Sequence, residues 1–270
     1  MVAASTPELR RERFVILAAL LVMSAVTWSV VVWQSRTMDT SSMDRMLTMD
    51  MSTVLFMGMW VLMMVAMMFP TAAPMVLTFA KVSRTRESQG RGFVPTWVFV
   101  ASYLVIWTLF GVASYFIATG LEDLANNYQF LMDHGARIGG GVLMLAGLYQ
   151  LSPLKNACLS TCRTPLGWVI TSWREGYTGA FQMGLAHGTY CVGCCWLLFV
   201  ILFPLGIMNV AAMGGVTLLV FSEKALPHGP RIARIAGVAL LAYGLTVVIY
   251  PDALPSMISA SGNGSMEMGS

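Results

Sequence analysis

Charge is what this chain has least of. Of its 270 residues, 16 are Lys or Arg and 13 are Asp or Glu, so 11% are charged while 57% are hydrophobic. Soluble domains usually carry about 25% charged residues, and the shortage excludes an ordinary water-soluble fold. Alternating strand patterns are absent as well, which removes a closed barrel and leaves helices as the way to satisfy backbone hydrogen bonds in lipid. Histidine is scarce: His134, His187 and His228 are the full set, far apart in sequence. That count argues against bis-histidine haem stacks, di-iron membrane oxygenases and multi-histidine copper oxidases. Carboxylates are nearly missing from the apolar runs, which disfavours hard, oxygen-loving ions. The formal net charge of +3 follows from membrane topology and gives no reason to expect a nucleic-acid partner. The first apolar run is about one span long and "WQSRTM" after it offers no small-residue cleavage site, so a retained anchor helix is expected. No internal repeat and no soluble domain is visible.

The sequence therefore predicts an all-α fold: a polytopic integral membrane helical bundle with the lipid bilayer as its first partner. Seven spans are expected, over residues 14–33, 53–80, 96–119, 137–152, 178–203, 207–222 and 232–250, the fourth and seventh being the shortest. From Gly176 to Ser222 no Asp, Glu, Lys or Arg interrupts the chain, too long a run for one crossing and suited to two joined near "FPLGIMN". Thirteen cationic residues fall in segments 1–13, 81–95, 153–177 and 223–234, whereas Arg36, Arg45 and Arg137 lie on the other side. The positive-inside rule then places the N-terminal segment 1–13 in the cytoplasm and the C-terminus outside. The bundle fills residues 14–250, and the small, polar, Met-containing tail 251–270 is expected to be flexible.

Within the fifth span lies "AHGTYCVGCCWLLFV". On a helix His187, Cys191, Cys194 and Cys195 stand at offsets of 0, 4, 7 and 8 and share one stripe, with Met183 a turn earlier. Neutral Cys packs as a small hydrophobe, and Gly184, Gly188 and Gly193 allow close helix approach, so core packing is one reading of these residues. The cluster also reproduces soft-metal ligand spacing. A second pair, Cys158 and Cys162 in "CLSTC", follows the fourth span at i, i+4 spacing on the cytoplasmic side. A cytosolic or intramembrane set of cysteines favours metal binding or redox exchange over disulfide stapling. Thiolate, imidazole and abundant thioether point to Cu(I), with zinc as the alternative.

The 22 methionines add to this. "TMDTSSMDRMLTMDMS" places Met38, Met43, Met46, Met49 and Met51 in a short polar loop outside the membrane. Thioethers there suit a soft cation where thiols would oxidise. The second span holds Met57, Met59, Met63, Met64, Met67 and Met68, and the tail adds Met257, Met266 and Met268. Methionine in a span is also ordinary gap filler. Pro70 and Pro74 are expected to kink this helix and free backbone carbonyls for other groups or an ion.

"MWVLMMVAMMFPTAAP", "QLSPLKNACLSTCR", "GTYCVGCCW" and "GIMN" followed by "SEK" together resemble a bacterial family of uncharacterised, predicted metal-binding integral membrane proteins, with Cys-x-Gly-Cys-Cys-Trp as the most specific element. The resemblance runs from the second span to about Lys224. It implies that Cys191, Cys194, Cys195, Cys158 and Cys162 are metal ligands, with Ala66, Met67, Met68 and Pro70 part of the same site, and it implies the bacterial inner membrane. His187 joins the set from helical spacing alone. Glu223 and Lys224, at the end of the sixth span, are expected first as an interfacial anchor and second as a gating or coupling pair.

Three functions fit these residues. The first is copper handling: Cu(I) captured by the outer Met-rich loop, bound at the intramembrane Cys/His site, then transported or delivered to a membrane cuproenzyme or a soluble copper chaperone. The second is a zinc- or copper-binding accessory subunit of a membrane complex, in a homo- or hetero-oligomer. The third is a membrane thiol-disulfide oxidoreductase using Cys191 and Cys194; no catalytic residue is assigned for the first two.

Overall fold

The computed structural model describes residues 7–37, 52–90, 94–207 and 209–254, and every regular element among them is helical. The long helices are α1 (Pro7–Thr37), α2 (Thr53–Glu87), α3 (Thr96–Asn127), α5 (Gly135–Leu151), α8 (Gly176–Val200), α10 (Val210–Ala225) and α11 (Gly229–Ile249). Between them lie the short helices α4 (Gln129–Asp133), α6 (Pro153–Arg163), α7 (Pro165–Thr171) and α9 (Leu202–Leu205), and a 3₁₀ turn closes the described chain at Pro251–Ala253.

Five helices are long and apolar enough to cross a membrane: α1, α2, α3, α8 continued by α9, and α11. These answer to the first, second, third, fifth and seventh expected spans. The fourth and sixth are α5 and α10, with 17 and 16 residues, short of the ~20 needed for a bilayer core. The structure thus supports a membrane-type bundle with five membrane-length helices. The methionine-rich 38–51 segment and the tail beyond residue 254 lie outside the described residues.

Helix α2 is the central helix. Of its most apolar window 56% is buried within the bundle, against 22% for α1, α3 and α11, and helices apolar on all sides but buried on few are what a lipid environment accommodates. Ser52 caps its start, accepting from the Leu55 amide. Pro70 has no N–H to donate, so the Ala66 carbonyl four residues earlier loses its helical partner. Helix α1 supplies two replacements: the Ser24 hydroxyl donates to Ala66 O at 2.7 Å and the Trp28 indole at 3.0 Å. The carbonyl that the proline frees is therefore taken by protein donors, and it locks α1 to α2.

Elsewhere, α3 lies along α8 and α5 along α11. The α5–α11 contact is a backbone-to-backbone approach: a Cβ on Gly147 would come within 2.7 Å of the Gly237 carbonyl. Small residues permit such approach in bundles that gain little from the hydrophobic effect. The 153–177 segment, expected as a cytoplasmic loop, is instead largely helical and packed inward, since α6 lies on α8, α7 touches α2, and Leu159 and Val169 are buried.

Candidate metal centre

The stripe on α8 forms as its spacing requires: His187, Cys191, Cys194 and Cys195 are all buried on the same helix. Helix α6 brings the other cysteine pair to it. Ser152 caps α6 by accepting from the Lys155 amide, and Pro153 takes the first helical position, where a missing N–H is harmless. The helix then runs against α8 so that Cys158 Sγ sits where a side chain on residue 193 would be; a Cβ added to Gly193 would stand 2.9 Å from that sulfur. The glycine in "CVGCC" leaves room for a thiol from another helix. One turn on, the Cys162 and Cys194 side chains are within hydrogen-bonding reach of each other.

Cys191 is the hub of this cluster. Its carbonyl accepts from the Cys194 thiol at 3.1 Å and the Cys195 thiol at 2.8 Å. Its own sulfur accepts from the Lys224 ammonium at 3.0 Å and lies 3.2 Å from the Tyr103 hydroxyl. All five cysteines are free. With the thiols turned to backbone and to one another, no three His, Cys, Asp or Glu side chains among the described residues stand in a metal-holding arrangement. Outside the membrane-length helices, Cys162 is held well above its ordinary pKa, first by its hydrogen bond with Cys194 and then by burial. Burial, then the charge of Cys194, raises Cys158. Both shifts keep these groups protonated until something replaces the proton.

Beneath the thiols lies a buried ionic network. Lys155 is 0% exposed and Glu223 1%, and the Lys155 ammonium reaches Glu223 Oε2 at 2.6 Å. The Gln150 amide donates to the other carboxylate oxygen at 2.7 Å, and its own carbonyl accepts from Lys155. Two charges so far from water are tolerable only as a paired and hydrogen-bonded set. Arg163, at the end of α6, donates to the carbonyls of Glu223, Leu226 and Pro227, closing the last turn of α10 with a cation where the helix dipole is negative. Together α5, α6 and α10 are tied into one polar cluster, and the next residue, Lys224, points its ammonium at Cys191. The expectation of an interfacial anchor at Glu223 and Lys224 is corrected by this: both side chains turn into the bundle, because each finds a buried partner there.

His187 is placed differently from the sulfurs. Its ring stacks on Phe99 and Tyr103 with centroids 5.8 and 5.5 Å away, Trp168 of α7 tilts over it at 5.9 Å, and both ring nitrogens are buried without a hydrogen-bond partner. Unpaired buried nitrogens are rare and call for a reason. Tyr103 links the two regions, touching the His187 ring with its face and Cys191 with its hydroxyl. Met183 accepts from the Arg174 amide through its sulfur at 3.4 Å. Met67 and Met68 are fully buried in α2, and Thr71 donates to Met68 Sδ at 3.8 Å.

Sequence reasoning missed Tyr103, Gln150 and Lys155 and misjudged Glu223 and Lys224. One signal was available: lysine in "SPLK" and the pair in "SEK" are charges bordering apolar runs close to cysteines. Which of them pair is a tertiary fact that spacing does not carry. No curated protein and no solved structure matches the chain. A family model described as PpoB2, copper chaperone, matches residues 57–247, a stretch that contains every residue of the thiol cluster and its ionic support.

Proposed function

Because the chain belongs to the PpoB2 copper chaperone family, its function is copper-related, and we propose that it is a membrane-embedded Cu(I) carrier whose cargo rides on the thiols of α6 and α8. The observation that carries this reading is the gathering of Cys162, Cys191, Cys194 and Cys195 beside the Lys224 ammonium. Thiolates are the ligands a soft monovalent copper ion prefers. To bind, the ion displaces the protons of Cys191 and Cys194, and the Cys194 thiol turns about χ1 away from the Cys191 carbonyl. Cys191 and Cys194 are the first pair, Cys162 and Cys195 are within reach for exchange, and Cys158 over Gly193 is the next station toward the α6 surface. His187, with both nitrogens unpartnered, offers a neutral donor one turn away.

Charge favours copper over zinc in this reading. One monovalent ion and two thiolates carry a single net negative charge, which the Lys224 ammonium cancels, while Lys155 and Glu223 cancel each other. A divalent ion on the same two thiolates beside Lys224 leaves a net positive charge in an apolar surround, and buried net charge is expensive. The orientation that fits is a cytoplasmic N-terminus, with Met38 to Met51 outside as the capture segment and α5 and α10 completing the bundle as short spans. Delivery is to a membrane cuproenzyme or to a soluble acceptor.

The test is competition. The full chain, purified anaerobically in detergent, is loaded with Cu(I) and challenged with a chromophoric Cu(I) chelator, beside Cys191→Ser/Cys194→Ser. The parent is expected to keep its most tightly held copper and the variant to surrender it. A variant that keeps it, or a parent that holds zinc which Cu(I) fails to displace, overturns the proposal.

A further inference from the structure

A second soft-ligand cluster sits at the start of α10, the helix whose last turn carries Lys224, and nothing in the thiol chemistry uses it. Helix α1 ends at Thr37 and α2 begins at Thr53, so this is the end of the bundle from which the Met38–Met51 sequence departs. There Val31 of α1, Phe56, Met59, Trp60 and Met63 of α2, Ile207 and Met213 line a partly open pocket of about 20 Å³ with no polar surface in its wall. Met59 and Met63 share a face at i, i+4. Met213 joins them from the first turn of α10, which Asn209 fixes by accepting from the Ala212 amide at 3.0 Å.

Three features of this cavity select its occupant. Its volume is about that of one water-sized sphere, too small for a hydrated divalent ion or an organic molecule. A water held there needs two to four polar partners, and the wall supplies none. What the wall does supply is three thioethers and two aromatic rings, Phe56 and Trp60, which stack at 6.0 Å. The Trp60 N–H is already spent on the Trp107 carbonyl at 3.0 Å, so its ring presents only π surface. Thioethers ligate soft monovalent d¹⁰ ions and aromatic faces attract cations. Methionine is also the side chain that best fills irregular gaps, yet here three of them surround one that stays open.

We propose that Met59, Met63 and Met213 form a separate thioether site for a bare monovalent soft cation, Cu(I) or Ag(I), at the other end of α10 from Lys224. The ion binds with no proton released and no bond broken, so this site holds its cargo more weakly than thiolates and hands it on. The assignment of copper as cargo rests on the proposed function; the thioether site itself does not depend on the cysteines.

The experiment uses Ag(I) as probe and four full-length proteins in detergent: the parent, a variant with all five cysteines changed to serine, Met59→Leu/Met63→Leu/Met213→Leu, and Met213→Leu alone. Leucine nearly conserves volume, so parent-like thermal unfolding is expected. Titration of the five-serine variant should still show weaker uptake, of which the Met38–Met51 segment takes a share. Methionine ε-methyl NMR in that background should shift the signals that disappear in the Leu variants. The triple Leu change should remove one equivalent of the weaker uptake while sparing the tight step, and Met213→Leu should weaken that equivalent about tenfold, as losing one donor of three does. Weak uptake undiminished in the triple Leu variant, or no Ag(I) shift of the methyl signals that this variant lacks, overturns this site, and the tight step is then read on its own. If the tight step survives the five-serine change, the proposed function fails while the thioether site stands. Should the triple variant not fold, Met213→Leu decides by the same two readouts.

Discussion

Two regions of this bundle solve the same problem, a soft ligand set inside an apolar protein, in opposite ways. In one, thiols, a lysine, a tyrosine and a buried ion pair are held by hydrogen bonds, with Cys194 and Cys195 on the Cys191 carbonyl, Lys224 and Tyr103 on the Cys191 sulfur, and Gln150 and Lys155 on Glu223. In the other, the pocket at Met59, Met63 and Met213 has no polar atom to satisfy. Thiols can become anions, so they need counter-charge and hydrogen bonds held in place by several helices. Thioethers never ionise and need only space. The first arrangement suits retention and the second suits passage, and the difference explains why charge is concentrated around α6 and α10 and excluded from the first half of α2.

The comparison breaks most sharply at the ion pair. Glu223→Ala leaves Lys155 charged and buried without its counter-ion, and a loss of roughly 3–5 kcal/mol is expected, measured as a fall in the thermal unfolding midpoint in detergent. Pairing it with Lys155→Met should recover most of that loss; if the double variant is as unstable as the single, the pair does not carry the support assigned to it. Next in size, Cys194→Ser should lower Cu(I) affinity by more than about a hundredfold with unfolding nearly unchanged, read by chelator competition. Equal losses of stability and of copper would mean that Cys194 is a packing residue.

Lys224→Met tests the counter-charge. The ammonium touches a ligand and not the ion, so about a ten- to hundredfold loss of Cu(I) affinity is expected, together with a relative gain for Zn(II); unchanged selectivity would remove the charge argument. Gly193→Ala places a methyl 2.9 Å from Cys158 Sγ. The expected cost is about 1 kcal/mol, at the low end for overpacking, with Cys158 losing protection from alkylation because it is pushed off α8. Smallest is Met63→Leu, which should change stability by less than about 1.5 kcal/mol and leave the tight copper untouched in the same competition assay.

Much of this architecture was legible before any coordinates. The dearth of charge and the long apolar runs predict helices, and the 0, 4, 7, 8 spacing on α8 does produce a single buried stripe. Pro70 signals a freed carbonyl, but not that Ser24 and Trp28 would take it from 42 and 38 residues away. Likewise the "CLSTC" pair marks two candidate ligands without announcing that α6 turns inward and meets α8 through the space above Gly193. The charged residues are where periodicity says least: Lys155 and Glu223 flank apolar runs as interfacial anchors do, and only the packing of α5, α6 and α10 makes them a buried pair. Five of the seven expected spans are membrane-length helices, and α5 and α10, shorter than that, share the composition of full crossings.

Copper held by sulfur at the α6–α8 cluster is the central expectation. The most direct measurement is copper K-edge X-ray absorption on the full chain loaded anaerobically with one ion per protein and stripped of weakly held metal. The predicted spectrum is that of Cu(I) in a two- or three-coordinate sulfur shell, lost in Cys191→Ser/Cys194→Ser. A shell dominated by nitrogen or oxygen, or a sulfur shell that survives the loss of both cysteines, would contradict it.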